Sequence, residues 1–378
     1  MINHPILFQI DSLLLHHKFA LLCFITAFVV TMICIPPIIS FIQRKQIFDL
    51  PNARKEHKDP IPTMGGIAIV AGMLAALLLW FPFSTEPALL CFFLSVIILF
   101  LLGMLDDLKD LSARYKFIIQ IALAFLIAVS GIRIQSFEGL FGIYDLPLST
   151  QYTVTILAIT GITNAFNLID GIDGLAGGLA FMSLVVLGTF LTLTGDGQTA
   201  LIAFSLAGAL LAFLYFNLNP ARIFMGDTGS LVTGFVVAIL CIRFLQVNAA
   251  SGSPLITHGP VFISGIVLIP VFDTLRVFAL RIWRGNSPFQ ADKTHIHHLF
   301  TRQGYTHAFA TRVICVLHGV ILFESFWIRR LSQEWSLTIL FLIMLLAIAF
   351  FRVLSPLVEK CRNFLKISRG KQGSFMNR

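Results

Sequence analysis

"YTVTILAITGITNAFNLIDGIDGLAGGLAFMSLVVLGTF" runs from Tyr152 to Phe190. Its two ends are apolar over lengths that approach the roughly 20 residues needed to cross a bilayer. Its middle, "NAFNLIDGIDGLAGG" (164–178), holds two amides, two carboxylates and four glycines. Two membrane helices joined by a tight polar turn account for all three parts. A helix is expected to end near Asn167, and the next to begin near Leu175.

The rest of the chain repeats that pattern. Of 378 residues, 57% are hydrophobic and 12% charged, and the mean hydropathy is +0.87. Soluble domains carry about 25% charged residues, and no polar stretch is long enough to make a soluble domain. Eleven apolar segments are expected to span the membrane, near 18–42, 64–83, 87–105, 116–132, 150–166, 175–194, 199–216, 229–248, 260–282, 308–328 and 334–355. The fold class is therefore all-α, a polytopic helix bundle. Residues 1–355 are expected to form one multi-pass membrane domain, and 356–378 a basic tail. The first sixteen residues lack a basic start and a small-residue cleavage site, so no cleaved signal peptide is expected. Six cysteines show no CxxC spacing, and five lie in apolar runs as packing residues.

Counting loops alternately, one set carries eighteen Lys and Arg and the other four. Positive residues stay cytoplasmic, so the N-terminus is expected outside and the C-terminus inside. The basic pair Arg329-Arg330 runs against this. "GMLDDLKD", "NAFNLIDGIDG", "FMGDTGS" and "HIHHLF" then share the cytoplasmic face. Far apart in sequence, they have the layout of one site at the mouth of a bundle. The net charge of +8 suits lipid headgroups, and no nucleic-acid partner is expected.

Asn164, Asn167, Asp170 and Asp173 recur every third residue. Each step of three falls about 60° short of a helical turn, so they cannot share one face of a regular helix. Capping by Asn and Asp accounts for one or two of them, not four. "DGIDG" lacks the closing Glu of an EF-hand. Asp106-Asp107 follow "LFLLGML" directly. Adjacent acids at the end of a span default to function, the alternative being an acidic helix end balanced by Lys109 and Arg114. Asp227 lies between glycines before the next helix, as an N-cap or facing phosphate beside free N–H groups. No P-loop motif occurs. His295, His297 and His298 lack the i, i+4 spacing of helical zinc ligands and suit phosphate better. "DLPNARKEHKDPIPTMGG" (49–66) supplies Arg54, Lys55 and Lys58, which fit an anionic lipid headgroup.

Acids and amides suit Mg²⁺ or Mn²⁺, and basic and imidazole groups suit phosphates. Together at a membrane face they fit transfer of a phosphorylated group between a soluble donor and a lipid. The chain resembles the polyprenyl-phosphate N-acetylhexosamine-1-phosphate transferases. The similarity covers most of residues 44–300 through five ordered motifs: "IPTMGG", "LDDLKDL", "NAFNLIDGIDGLAGG", "FNLNPARIFMGDTGS" and "SPFQADKTHIHHLF".

The last of these is similar to the branch using UDP-N-acetylglucosamine and undecaprenyl phosphate in the bacterial inner membrane. The peptidoglycan branch usually has three consecutive histidines where this chain has "HIHH". The resemblance implies that undecaprenyl-diphospho-N-acetylglucosamine and UMP are formed, as the first membrane step of a cell-surface glycan such as O-antigen. It places Asp227 and Asn167 at Mg²⁺, and Asp106 and Asp107 as the essential acidic pair. Asp170, Asp173, Asn217 and the three histidines fall near the nucleotide sugar. The family's lysine before "PTMGG" is Asp59 here, with Lys58 beside it. Another UDP-N-acetylhexosamine, a 6-deoxy amino sugar or the peptidoglycan precursor remain alternatives, and an anion transporter is a distant one. A homodimer is one arrangement open to the chain.

Overall fold

The computed structural model describes residues 5–45, 48–49, 61–83, 85–251, 254–287, 294–301, 303–327 and 331–350. Arg54, Lys55, Lys58, the Arg329-Arg330 pair and the tail 356–378 lie outside the described residues. Helices α1 (Pro5–Lys45), α2 (Gly65–Trp80), α3 (Pro87–Lys109), α4 (Ala113–Val129), α5 (Leu148–Ile169) and α6 (Leu175–Leu193) come first. They are followed by α7 (Gly197–Asn217), α8 (Gly226–Ala250), α9 (Gly259–Trp283), the short α10 (Ile296–Thr301) and α11 (His307–Trp327). A last helix, α12, covers Gln333–Phe350.

Each of the eleven expected segments contains a helix over its described residues. Among the described residues, nine helices are long and apolar enough to cross a membrane. The other two, α2 and α4, have 16 and 17 residues, just short of the usual span.

Helices α7 and α8 form the centre. Both are apolar around the whole circumference, which marks a helix enclosed by others. Helix α7 packs against α1, α2 and α6, and α8 against α2, α3, α5 and α6. Backbones touch where side chains are absent. A Cβ on Gly66 of α2 would stand 2.6 Å from Gly229 Cα of α8. A Cβ on Gly103 of α3 would stand 2.7 Å from Thr228 N. Small residues allow such approaches within membranes.

Two antiparallel strand pairs accompany the helices: β1 (Phe48–Asp49) with β2 (Ile61–Pro62), and the hairpin of β3 (Ser136–Leu140) with β4 (Ile143–Asp145). The second replaces an expected loop at the end of the bundle away from the polar motifs. It is tied down there by Glu138, which accepts Gly259 N–H at 3.0 Å, and by Phe141 N–H donating to Glu334 at 3.1 Å. Burial pushes the Glu138 carboxyl above the usual range, while the Gly259 N–H works the other way. Because the helices alternate in direction, the C-terminal ends of α3, α5, α7 and α9 meet the N-terminal ends of α2, α4, α6, α8 and α11. The motif-bearing loops lie at that end.

Candidate active site

The site is built on the first turn of α8. That helix begins at Gly226, so Asp227 lies inside the first turn, with Met225 at the N-cap. An N-cap role for Asp227 therefore does not apply. A negative charge in a first turn is favoured by the helix dipole. The turn's free N–H groups are satisfied from α3. Asp107 Oδ1 accepts the Asp227 N–H at 2.8 Å, and Oδ2 accepts the N–H and hydroxyl of Thr228. Gly226 has φ +71°, and a Cβ there would stand 2.7 Å from Asp107 Oδ2. Only glycine fits between the two elements.

Helix α3 runs past Asp106 and Asp107 to Lys109, so the two acids sit in its last turn and diverge. Asp106, 8% exposed, accepts the Leu111 N–H at 2.7 Å and a hydrogen bond from Lys116 Nζ at 2.7 Å. The same ammonium donates to Asp227 Oδ2 at 2.9 Å. Balance by Lys109 and Arg114 is not what the structure has, because both are exposed. The charge between the two carboxylates is that of Lys116 in α4. Asn167 Nδ2 donates to Asp227 Oδ1 at 3.0 Å and to Ser230 Oγ at 2.9 Å.

Beyond Asn167 the chain leaves helical geometry. Helix α5 ends at Ile169, two residues later than expected, and α6 starts at Leu175 after Gly174 with φ +75°. Burial pushes the Asp170 carboxyl up to about 7, reinforced by the charges of Asp227, Asp107 and Asp173. These acids therefore share one field. Asp173 is 2% exposed and accepts from Asn219 Nδ2 at 2.9 Å and Ala221 N–H at 3.1 Å, with His307 Nδ1 at 3.4 Å. Burial opposes its charge, but these partners hold its carboxyl below the usual range. Asn217 is 3% exposed; its Oδ1 accepts Gly174 N–H and its Nδ2 donates to Ile223 O, both at 2.8 Å. Asp173 and Asn217 thus clamp the turn 170–174 to the loop 217–223. Asn164 reaches Gln120 of α4 instead.

Two further motifs dock on this frame. Phe224 N–H donates to Pro62 O at 2.8 Å, and Gly65 and Gly66 N–H donate to Phe224 O and Met225 O at 2.8 and 2.9 Å. "IPTMGG" is thereby fixed to the loop that presents Asp227. His297, 2% exposed, lies over Gly171, where a Cβ would stand 2.5 Å from its Nε2. His295 and His297 stack with ring planes 4° apart.

The profile of glycosyl transferase family 4 matches residues 89–245. A "probable undecaprenyl-phosphate N-acetylglucosaminyl 1-phosphate transferase" of Bacillus subtilis (strain 168) is 33% identical over 349 residues, covering 90% of this chain and 95% of the relative. The chain belongs to glycosyl transferase family 4. Relatives named "undecaprenyl-phosphate alpha-N-acetylglucosaminyl 1-phosphate transferase" come from Salmonella typhi, at 32% identity over 311 residues, and Escherichia coli (strain K12), at 30% over 312. Each alignment covers 79% of this chain and 81% of the relative.

In this family 4 protein the structure brings Asp106, Asp107, Asn167, Asp170 and Asp227 to one place. Among the described residues, no three His, Cys, Asp or Glu are arranged as a closed metal cage. Mg²⁺ does not need one, because it keeps waters and takes one or two carboxylates plus substrate phosphates. The donor set fits such an ion. Asp227, Asn167 and Asp170 supply oxygen, and burial, with the charges of the neighbouring acids, pushes the Asp170 carboxyl up.

Sequence reasoning passed over Lys116, counted only as an inside charge, and over His307, Asp273 and Arg276. Lys116 and Asp273 had a usable signal, a charge within an apolar helical run. The capping role of Asp107 gives a stability prediction. Asp107→Ala strips acceptors from three donors in the α8 first turn, costing about 2 kcal/mol or more at the scale of a lost cap and unsatisfied donors. The thermal midpoint in detergent should fall clearly for Asp107→Ala and little for Asp106→Asn. Equal midpoints would remove the cap assignment.

Proposed function

We propose that this chain transfers N-acetylglucosamine-1-phosphate from UDP-N-acetylglucosamine to undecaprenyl phosphate at the cytoplasmic face of the bacterial inner membrane. The observation that carries the reading is the junction of Asp106, Lys116, Asp227 and Asn167, contributed by four helices at one end of the bundle. The family and the names of its relatives support it. The excess of basic residues in the loops at that end supports a cytoplasmic placement.

In this reaction an oxygen of the lipid phosphate attacks the phosphorus next to the sugar. The bond from that phosphorus to the UMP oxygen breaks, and UMP leaves. A phosphate monoester has its second pKa near 6, so the nucleophile is already largely ionised and no strong base is required. Phosphoryl transfer depends instead on in-line positioning and charge neutralisation. A bound Mg²⁺ would supply charge neutralisation at the diphosphate, held by Asp227 with Asn167 beside it.

The protein's own groups divide the remaining work. Lys116 keeps Asp106 and Asp227 apart in charge, and Asp107 locks the turn that presents Asp227. Asp170 is assigned to the nucleotide sugar, and His295, His297 and His298 to the donor phosphates. Arg54, Lys55 and Lys58 are assigned to the lipid phosphate by sequence alone. The product would begin a cell-surface glycan.

The test is UMP release from purified protein with Mg²⁺, undecaprenyl phosphate and a panel of UDP-sugars. UDP-N-acetylglucosamine should give the highest kcat/KM. A higher value for another UDP-hexosamine would redirect the sugar assignment, and no UMP from any donor would reject the reaction.

A further inference from the structure

We infer that Asp273 is the positioning residue that sets His295, and with it the "HIHH" segment, against the donor phosphates. This rests on the function proposed above and extends it to a residue outside the five motifs. Asp273 lies in α9, within the apolar run "IVLIPVFDTLRVFAL", and is 1% exposed. An acid so placed needs partners, and it has three. Its Oδ2 accepts from His295 Nδ1 at 2.9 Å. Its Oδ1 accepts the Ile296 N–H at 3.0 Å and Arg276 Nη2 at 2.7 Å. The same Arg276 nitrogen also donates to Thr294 O. The residues on both sides of His295 are thus tied to one point of α9, and Asp273 caps α10 from another helix.

The arrangement fixes the ring as well as the backbone. An ionised carboxylate can only accept, so His295 Nδ1 carries the hydrogen and Nε2 is turned away from Asp273. A neutral ring then offers Nε2 as an acceptor, which a phosphate oxygen cannot use. The imidazolium offers it as a donor, and Asp273 supplies the counter-charge beside it. Partners behind a functional histidine commonly set its tautomer and orientation. The stacking of His295 on His297, and of His297 over Gly171, carries the placement on to the turn that bears Asp170.

The test is a double-mutant cycle on the full-length enzyme with Asp273→Asn, His295→Gln and both together. It is read as kcat and KM for each substrate, with the thermal midpoint as a folding check. Asp273→Asn should raise KM for UDP-N-acetylglucosamine about tenfold, the scale of one charge-assisted hydrogen bond. KM for undecaprenyl phosphate should stay within about twofold. On the His295→Gln background the same change should add less than about twofold, because coupled residues are not additive.

Asp273→Glu keeps the charge and should fall between wild type and Asn; it carries the cycle if Asn does not fold. An equal penalty in both backgrounds, or equal rises in both KM values, would make Asp273 merely structural and overturn the inference. A wild type that releases no UMP from any donor would refute the proposed function and this inference with it. An active wild type with uncoupled Asp273 would refute the inference alone.

Discussion

Turnover of Asp227→Asn is expected to fall at least about a hundredfold, or about 2.7 kcal/mol in barrier, with the protein still folded. The substitution keeps the shape of the side chain. Its remaining oxygen can still accept from Asn167 or Lys116, so the bundle loses little. What disappears is the charge at the first turn of α8, where oxygen donors from α5 and α8 converge. The folded state should show in an unchanged size-exclusion profile and a thermal midpoint within a few degrees of wild type. Exhaustive EDTA should stop the wild type, and added Mg²⁺ or Mn²⁺ should restore it. Near-normal turnover in EDTA, or in Asp227→Asn, would remove the metal-dependent mechanism.

The second large effect is expected at Lys116. Its Nζ lies 2.7 Å from Asp106 and 2.9 Å from Asp227. Breaking a buried pair by removing one partner costs about 3–5 kcal/mol, because the other charge is left uncompensated. Lys116 retains 20% exposure, so water offsets part of this. Lys116→Met keeps the apolar stem and should still reduce kcat at least about tenfold, or about 1.4 kcal/mol. Without the ammonium, Asp106 and Asp227 repel each other and a divalent cation meets less competition. The Mg²⁺ concentration for half-maximal rate should therefore drop. Lys109→Ala and Arg114→Ala, both exposed, are the controls and should stay near wild type. If Lys109→Ala is inactive and Lys116→Met is not, the charge assignment at this end of the bundle is wrong.

The helices were legible because a bilayer demands long apolar runs, and glycines or polar residues interrupt them cleanly. The meeting of the acids was legible because alternating helix direction sends every second loop to the same end. Partner choice was not legible. Lys109 stands nearer to Asp106 in sequence, but α3 ends just beyond it and points it outward. Lys116 reaches the acids only because α4 turns back after Asp110, which adopts φ +51°. Helix α10 was not expected, since six residues carry no usable periodicity and its cap comes from Asp273 in another helix. The β3–β4 hairpin is too short for an alternation signal. Asp173 and Asn217 read as ligands because their composition is that of ligands. Only the folded chain shows that their side chains also hold two loops together.

The backbone contacts of α8 with Gly66 and Gly103 have a bearing on how this chain can vary in length. Each added helical residue advances α3 by about 1.5 Å and turns it by about 100°. One insertion between Gly103 and Asp106 would keep the glycine against Thr228 and swing both carboxylates away from α8. One insertion upstream would instead push a bulky neighbour into the gap that Gly103 leaves. The interval of four residues from Gly103 to Asp107 therefore behaves as a fixed ruler.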